Sequence, residues 1–149
     1  MKKHIVYHLN QASATKIADH LHACDSSFTP ALSDRVQIND YASKIASNAM
    51  RFEAWSGDIL VGMVAIYSDD QKYHTAYITS VSILQLWRGK GIADTLLKRS
   101  IEYAKVSGIK KMSLTVDGCN KRAVDLYKKS DFIADKIIGS EIIMSLYIK

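Results

Sequence analysis

Proline is nearly absent from this chain, with Pro30 alone among 149 residues, and no segment is of low complexity. Such a composition predicts little disorder. Cysteine is sparse as well: Cys24 and Cys119 lie far apart and form no CxxC pair, a pattern that fits free thiols in a reducing compartment. No apolar run approaches the roughly 20 residues needed to span a bilayer. The start, Met1-Lys2-Lys3-His4, lacks the long apolar region of a signal peptide, so the expected location is cytoplasmic, with no membrane partner. No dense Lys/Arg run interleaves with aromatics, which argues against nucleic acid. The five histidines lack the spacing of a zinc site. His4 and His8 share a strand face, while His20 and His22 diverge around a helix. They are expected in structural or surface roles, with no metal.

What is present fits a globular chain. Apolar residues make up 48% and charged residues 23%, and the length suits one domain over residues 1–149. The formal charge of +5 suits an anionic ligand such as a polyphosphate, or simply a solvated surface. His4–Leu9 alternates as a strand. Ala12–Ala23 reads as a helix through Ile17, Ala18 and Leu21. Cys24–Ser33 reads as a loop, and Asn39 as the N-cap of a helix over Asp40–Ser47. Met50–Trp55 and Ile59–Ser68 read as strands joined at Ser56-Gly57-Asp58, and Thr75–Leu84 as a third strand after the polar turn Asp69–His74. Gly91–Ser107 then repeats Ile92, Leu96, Leu97, Ile101 and Ala104 at helical spacing, ending at Gly108. Lys111–Val116 (strand), Asn120–Lys129 (helix), Phe132–Ile138 and Glu141–Ile148 (strands) complete an α+β order with no internal repeat.

The most informative stretch runs from Val81 to Ala93. A strand enters the loop Arg88-Gly89-Lys90-Gly91, which opens into an amphipathic helix with no Ser, Thr, Asp or Asn cap beside its first apolar residue. The first turn of a helix carries unpaired N–H groups and partial positive charge, and a phosphate can satisfy both. Glycines at 89 and 91 let the backbone approach such a ligand, while Arg88 and Lys90 add charge. The stretch is not a P-loop, because no glycine stands five residues before Gly89 and Gly91 follows Lys90. It is not a dinucleotide fingerprint either, because Asp94 fills the last glycine position.

Arg88-Gly89-Lys90-Gly91-Ile92-Ala93 resembles the acetyl-CoA loop Q/R-x-x-G-x-G/A of the GNAT superfamily. Asn120-x-x-Ala123-x-x-Leu126-Tyr127-x-x-x-Asp131-Phe132 resembles that superfamily's second block, N-x-x-A-x-x-L-Y-x-x-x-G-F. Asp131 stands where the family carries glycine. Asp is among the residues that best tolerate a left-handed conformation there.

The resemblance implies a mostly antiparallel central sheet flanked by helices, with Thr75–Leu84 splaying from Lys111–Val116 to form an acyl-CoA cleft. Acetyl-CoA would be the cosubstrate. Its pantetheine would pair with backbone near Val81 and Ile83, and its pyrophosphate would rest on Arg88, Gly89, Lys90, Gly91, Ile92 and Ala93. Asn120 would hold cofactor or cap its helix. Tyr127 would donate to the departing thiolate. The amine must be neutral to attack, so a base or water chain must take a proton, with Glu53 and Asp117 as candidates. Phe28, Asp34, Arg35 and Tyr41 are candidate walls of the acceptor site, faced by Tyr67, Tyr73 and Tyr77. The implied activity is acetyl transfer to a primary amine of a small molecule. Protein N-terminal or lysine acetylation and non-catalytic acyl-CoA binding are the alternatives, and a homodimer is open.

Overall fold

The computed structural model describes residues 4–69 and 72–149. Strand β1 (Val6–Leu9) is followed by helices α1 (Ala14–Cys24) and α2 (Ile38–Asn48), joined by a loop with short 3-10 turns at Asp25–Ser27 and Leu32–Asp34. Strands β2 (Met50–Ser56), β3 (Ile59–Asp69) and β4 (Thr75–Ile83) form a meander. Helix α3 (Ile92–Val106), strand β5 (Lys111–Asp117), helix α4 (Lys121–Lys129) and strands β6 (Ile133–Ile138) and β7 (Glu141–Tyr147) complete the chain. The polar turn expected over Asp69–His74 includes residues 70 and 71, which lie outside the described residues.

Seven strands form one sheet in the order β1-β2-β3-β4-β5-β7-β6. Every pairing is antiparallel except β4 with β5. Strands β2 and β3 are buried along most of their length because helices cover both faces. On one face, Ile17 and Leu21 of α1 and Ala42 and Ile45 of α2 pack on Leu60, Met63 and Ala65. On the other, Leu96, Leu97 and Ala104 of α3 and Val124 and Tyr127 of α4 pack on Val61, Val64, Met112, Leu114 and Met144. Each fully buried Leu or Ile contributes about 1.5–3 kcal/mol. Gly62 lets α3 approach β3 closely: a Cβ there would stand 2.8 Å from Ile83 Cδ1 and 3.0 Å from Ile92 Cγ2.

Helix α2 begins earlier than its sequence suggests. Ile38 is buried and starts the helix, and the Gln37 side chain caps it by accepting from Asp40 N–H at 2.7 Å. Asn39 therefore lies inside the first turn, where its Oδ1 stands 2.9 Å from His22 Nε2. At the end of α4, Asp131 is left-handed at φ 74°. Phe132 N–H then turns back to Tyr127 O at 3.0 Å, and the two rings meet at 6.1 Å.

Candidate active site

The site begins where the sheet fails to close. Strands β4 and β5 pair only at Thr75↔Lys111, Ala76↔Met112 and Tyr77↔Ser113, then part. Beyond the last pair, the Tyr77 hydroxyl donates to Thr115 Oγ1 at 3.0 Å. The cleft so formed has a volume of about 770 Å³. Leu84 N–H donates to Val61 O at 2.9 Å. Groups one residue out of phase point the opposite way along a strand, so the peptide groups of Val81 and Ile83 face the gap. Ile83 O accepts Arg88 Nε there at 3.3 Å.

A bulge controls which side chains enter the cleft. The β3–β4 register shifts so that Ala65 pairs with Ser80 and Ile66 with Ile78, leaving Thr79 as the extra residue. The Tyr41 hydroxyl donates to Thr79 O at 2.7 Å. Before the bulge, Ala76 and Ile78 join the α3 side of the core. After it, Ser80 and Ser82 turn toward α1.

At the far end of the gap, Gly89 and Gly91 adopt φ of 75° and 77°. A Cβ at either would meet no protein atom within 4 Å. Packing therefore does not require glycine at these positions; the left-handed backbone does. Gly91 is the N-cap of α3 and supplies no capping side chain, so the first-turn N–H groups are available to an anion at the cleft wall. Asp94, the acidic residue of that turn, is paired with Lys98 at 2.9 Å.

Val81, Ile83, Arg88, Gly89, Gly91, Ile92, Ala93 and Asn120 all line the cleft. Lys90 does not; it is exposed outside the wall. Asn120 also caps α4, accepting from Ala123 N–H at 3.3 Å. Tyr127 lies in the wall and is only 7% exposed. Burial raises its phenol pKa to about 12, so the hydroxyl is a donor at neutral pH.

Glu53 is not in the cleft. It is 0% exposed, and its oxygens accept from Gln11 N–H at 3.0 Å, Ala12 N–H at 3.0 and 3.2 Å and Trp55 Nε1–H at 3.0 Å. Arg51 Nε completes the set at 3.3 Å. Every oxygen of this carboxylate is thus engaged inside the protein, away from the cleft lining. Asp117 does line the cleft, and its Oδ1 accepts Cys119 N–H at 2.8 Å. Of the expected acceptor walls, Phe28, Arg35 and Tyr77 border the cleft, whereas Asp34, Tyr41, Tyr67 and Tyr73 stand outside it.

One histidine, expected in the sequence only in a structural or surface role, stands directly behind the wall. His20, 3% exposed, places Nδ1 2.9 Å from Leu60 O and Nε2 2.8 Å from Ser82 Oγ. Its signal was its place on the stripe Ile17-His20-Leu21-Cys24, the face that α1 buries. An imidazole on an otherwise apolar face needs partners in the sheet. Among the described residues no group of His, Cys, Asp or Glu could hold a metal ion, and no helix is long and apolar enough to cross a membrane.

Among the described residues the sheet thus parts at β4–β5, its one parallel pair, and an uncapped helix start stands at the end of the gap. The sequence model of the Acetyltransferase (GNAT) family matches residues 14–132, and the chain belongs to that family. A GNAT-family acetyltransferase from Streptococcus pneumoniae superposes with a TM-score of 0.73 over 98% of this chain and 100% of that one, at 22% identity. The PaiA N-acetyltransferase of Thermoplasma acidophilum, solved with coenzyme A, gives 0.73 over 96% and 99% at 16% identity. Among curated relatives, a mycothiol acetyltransferase of Corynebacterium efficiens is 30% identical over 78 residues, 52% of this chain and 26% of that protein. An N-alpha-acetyltransferase of Arabidopsis thaliana is 31% identical over 74 residues, 50% of this chain and 39% of that protein. The matches thus span well under half of these relatives' own length.

Proposed function

We propose that this domain transfers the acetyl group of acetyl-CoA directly to a primary amine of a small molecule. The observation that carries this reading is the gap between β4 and β5, which ends on the uncapped start of α3. An extended pantetheine arm could pair with Val81 and Ile83 as a substitute strand, and its pyrophosphate would meet the N–H groups of the Gly89–Ala93 turn. The neutral amine adds to the thioester carbonyl, and the C–N bond forms as the C–S bond breaks. The nitrogen's surplus proton leaves to solvent, with Asp117 the carboxylate at hand.

Tyr127 faces the thiolate side in this reading. A thiol near pKa 8.5 is a stronger acid than a phenol at about 12, so Tyr127 stabilises the leaving thiolate by a hydrogen bond rather than by full proton transfer. The α1–α2 loop brings Phe28 and Arg35 to the cleft, which favours an enclosed acceptor. A thiol-release assay with acetyl-CoA across small amines, peptides with free N-termini and lysine peptides tests the reading. Turnover of small amines is expected. Turnover confined to peptides would assign the site to protein acetylation, and acetyl-CoA binding without turnover of any amine would leave only a binding module.

A further inference from the structure

His20 is a buried titratable group that the reaction as described leaves unused. Its partners fix its proton. Leu60 O can only accept, so the hydrogen is on Nδ1, and Nε2 accepts from Ser82 at 2.8 Å, with the Cys24 thiol a more distant neighbour at 3.8 Å. Burial lowers the His20 pKa to about 4, against smaller opposing effects of its bonds to Leu60 and Ser82, so this neutral tautomer persists at neutral pH. The single hydroxyl hydrogen of Ser82 is thereby committed to the protein interior. Its oxygen is left to accept: it takes a long 3.5 Å hydrogen bond from Ser80 Oγ and has a second lone pair to offer. The bulge at Thr79 turns Ser80 and Ser82 toward α1 where both border the cleft, and Ser82 lies between Val81 and Ile83, whose peptide groups face the gap.

We propose that Ser82, held as a hydrogen-bond acceptor by His20, receives an N–H of the attacking amine and so aims its lone pair at the thioester. The inference rests on the amine-acetylation reading above. His20 is then a positioning residue acting through Ser82. It is not the final base, since a proton from an ammonium near pKa 10.4 would have to climb about six units to reach it.

The test uses the whole chain with the best amine from the thiol-release assay. Ser82→Ala is expected to lower kcat/KM for the amine tenfold or more while the Kd for acetyl-CoA stays within twofold. His20→Asn keeps a donor for Leu60 O but frees the Ser82 hydroxyl to turn, and a comparable loss is expected. Because His20 acts through Ser82, the double variant should be no worse than Ser82→Ala alone. Ser82→Thr, which keeps the hydroxyl, should recover most of the activity. Wild-type kcat/KM in a folded Ser82→Ala protein overturns the inference alone, and so does a double variant whose loss is the product of the single losses. A gain of one acetyl mass on Ser82 in the absence of amine would overturn it too, by making that oxygen the nucleophile. Failure of the wild-type chain to acetylate any amine overturns the parent reading, and this one with it. Where His20→Asn lowers the melting temperature too far, Ser82→Ala and Ser82→Thr carry the test.

Discussion

The phenol of Tyr127 and the carboxylate of Glu53 are both buried polar groups on the central scaffold, and their surroundings differ. Tyr127 sits in the cleft wall with its hydroxyl hydrogen-bonded to no group among the described residues, while each Glu53 oxygen is already engaged. Tyr127→Phe should therefore keep fold and acetyl-CoA affinity and lower kcat by roughly 10- to 100-fold, the worth of one hydrogen bond to a charged group. Steady-state kinetics decide it, and a wild-type kcat would leave Tyr127 as a packing residue against Phe132. Glu53→Gln should do the reverse. It leaves the Arg51 guanidinium buried without its counter-charge, which costs about 3 kcal/mol of stability, yet kcat of the folded fraction at low temperature should stay within about twofold. Urea denaturation gives the first quantity and kinetics the second. A kcat loss beyond tenfold with unchanged stability would return Glu53 to the list of bases.

At the level of elements, the turn into α3 is the critical junction. Gly91 is both left-handed and at the helix cap, so Gly91→Val imposes a strained backbone and a side chain where the pyrophosphate would approach. Acetyl-CoA affinity should fall at least tenfold, about 1.4 kcal/mol, and calorimetric titration with unchanged affinity would remove the turn from its assigned role. This junction was legible in the sequence because a strand, two glycines and an uncapped amphipathic stretch occur in immediate succession. Helix α3 itself was legible through its periodicity: Ile92, Leu96, Leu97 and Ala104 repeat at helical spacing and are all buried. The misses concern side-chain direction, which periodicity does not carry. Asn39 looked like a cap, but the burial of Ile38 starts the helix there and makes Gln37 the cap. Glu53 lies on a central strand, but its pleat face meets the start of α1, where Ala12 N–H and Arg51 enclose it. Ser80 and Ser82 face α1 only because of the bulge at Thr79, and local sequence does not announce a bulge formed against another strand.

At the scale of the whole molecule, His20 ties the two sides of the meander together, joining α1 to Leu60 on β3 and to Ser82 on β4. Any global unfolding releases it to water, which links stability to pH. In the unfolded chain His20 titrates near 6.5, and in the fold near 4. Between those values the unfolded chain binds a proton that the folded chain refuses, so stability must decline as pH falls through that window. Above the window the residue adds no pH dependence, and below it no further loss accrues. The full shift corresponds to about 3 kcal/mol, and about 2 kcal/mol of that should be lost between pH 7.5 and 5. Carboxylates also begin to titrate near the lower limit, so the informative quantity is a difference. Urea unfolding of the wild type and of His20→Asn, followed from pH 7.5 to 5, should give a steep decline for the wild type and a flatter one for the variant. Parallel curves would mean that His20 is protonated as readily in the fold as out of it. The fixed tautomer, and with it the orientation of the Ser82 hydroxyl, would then be lost across that pH range.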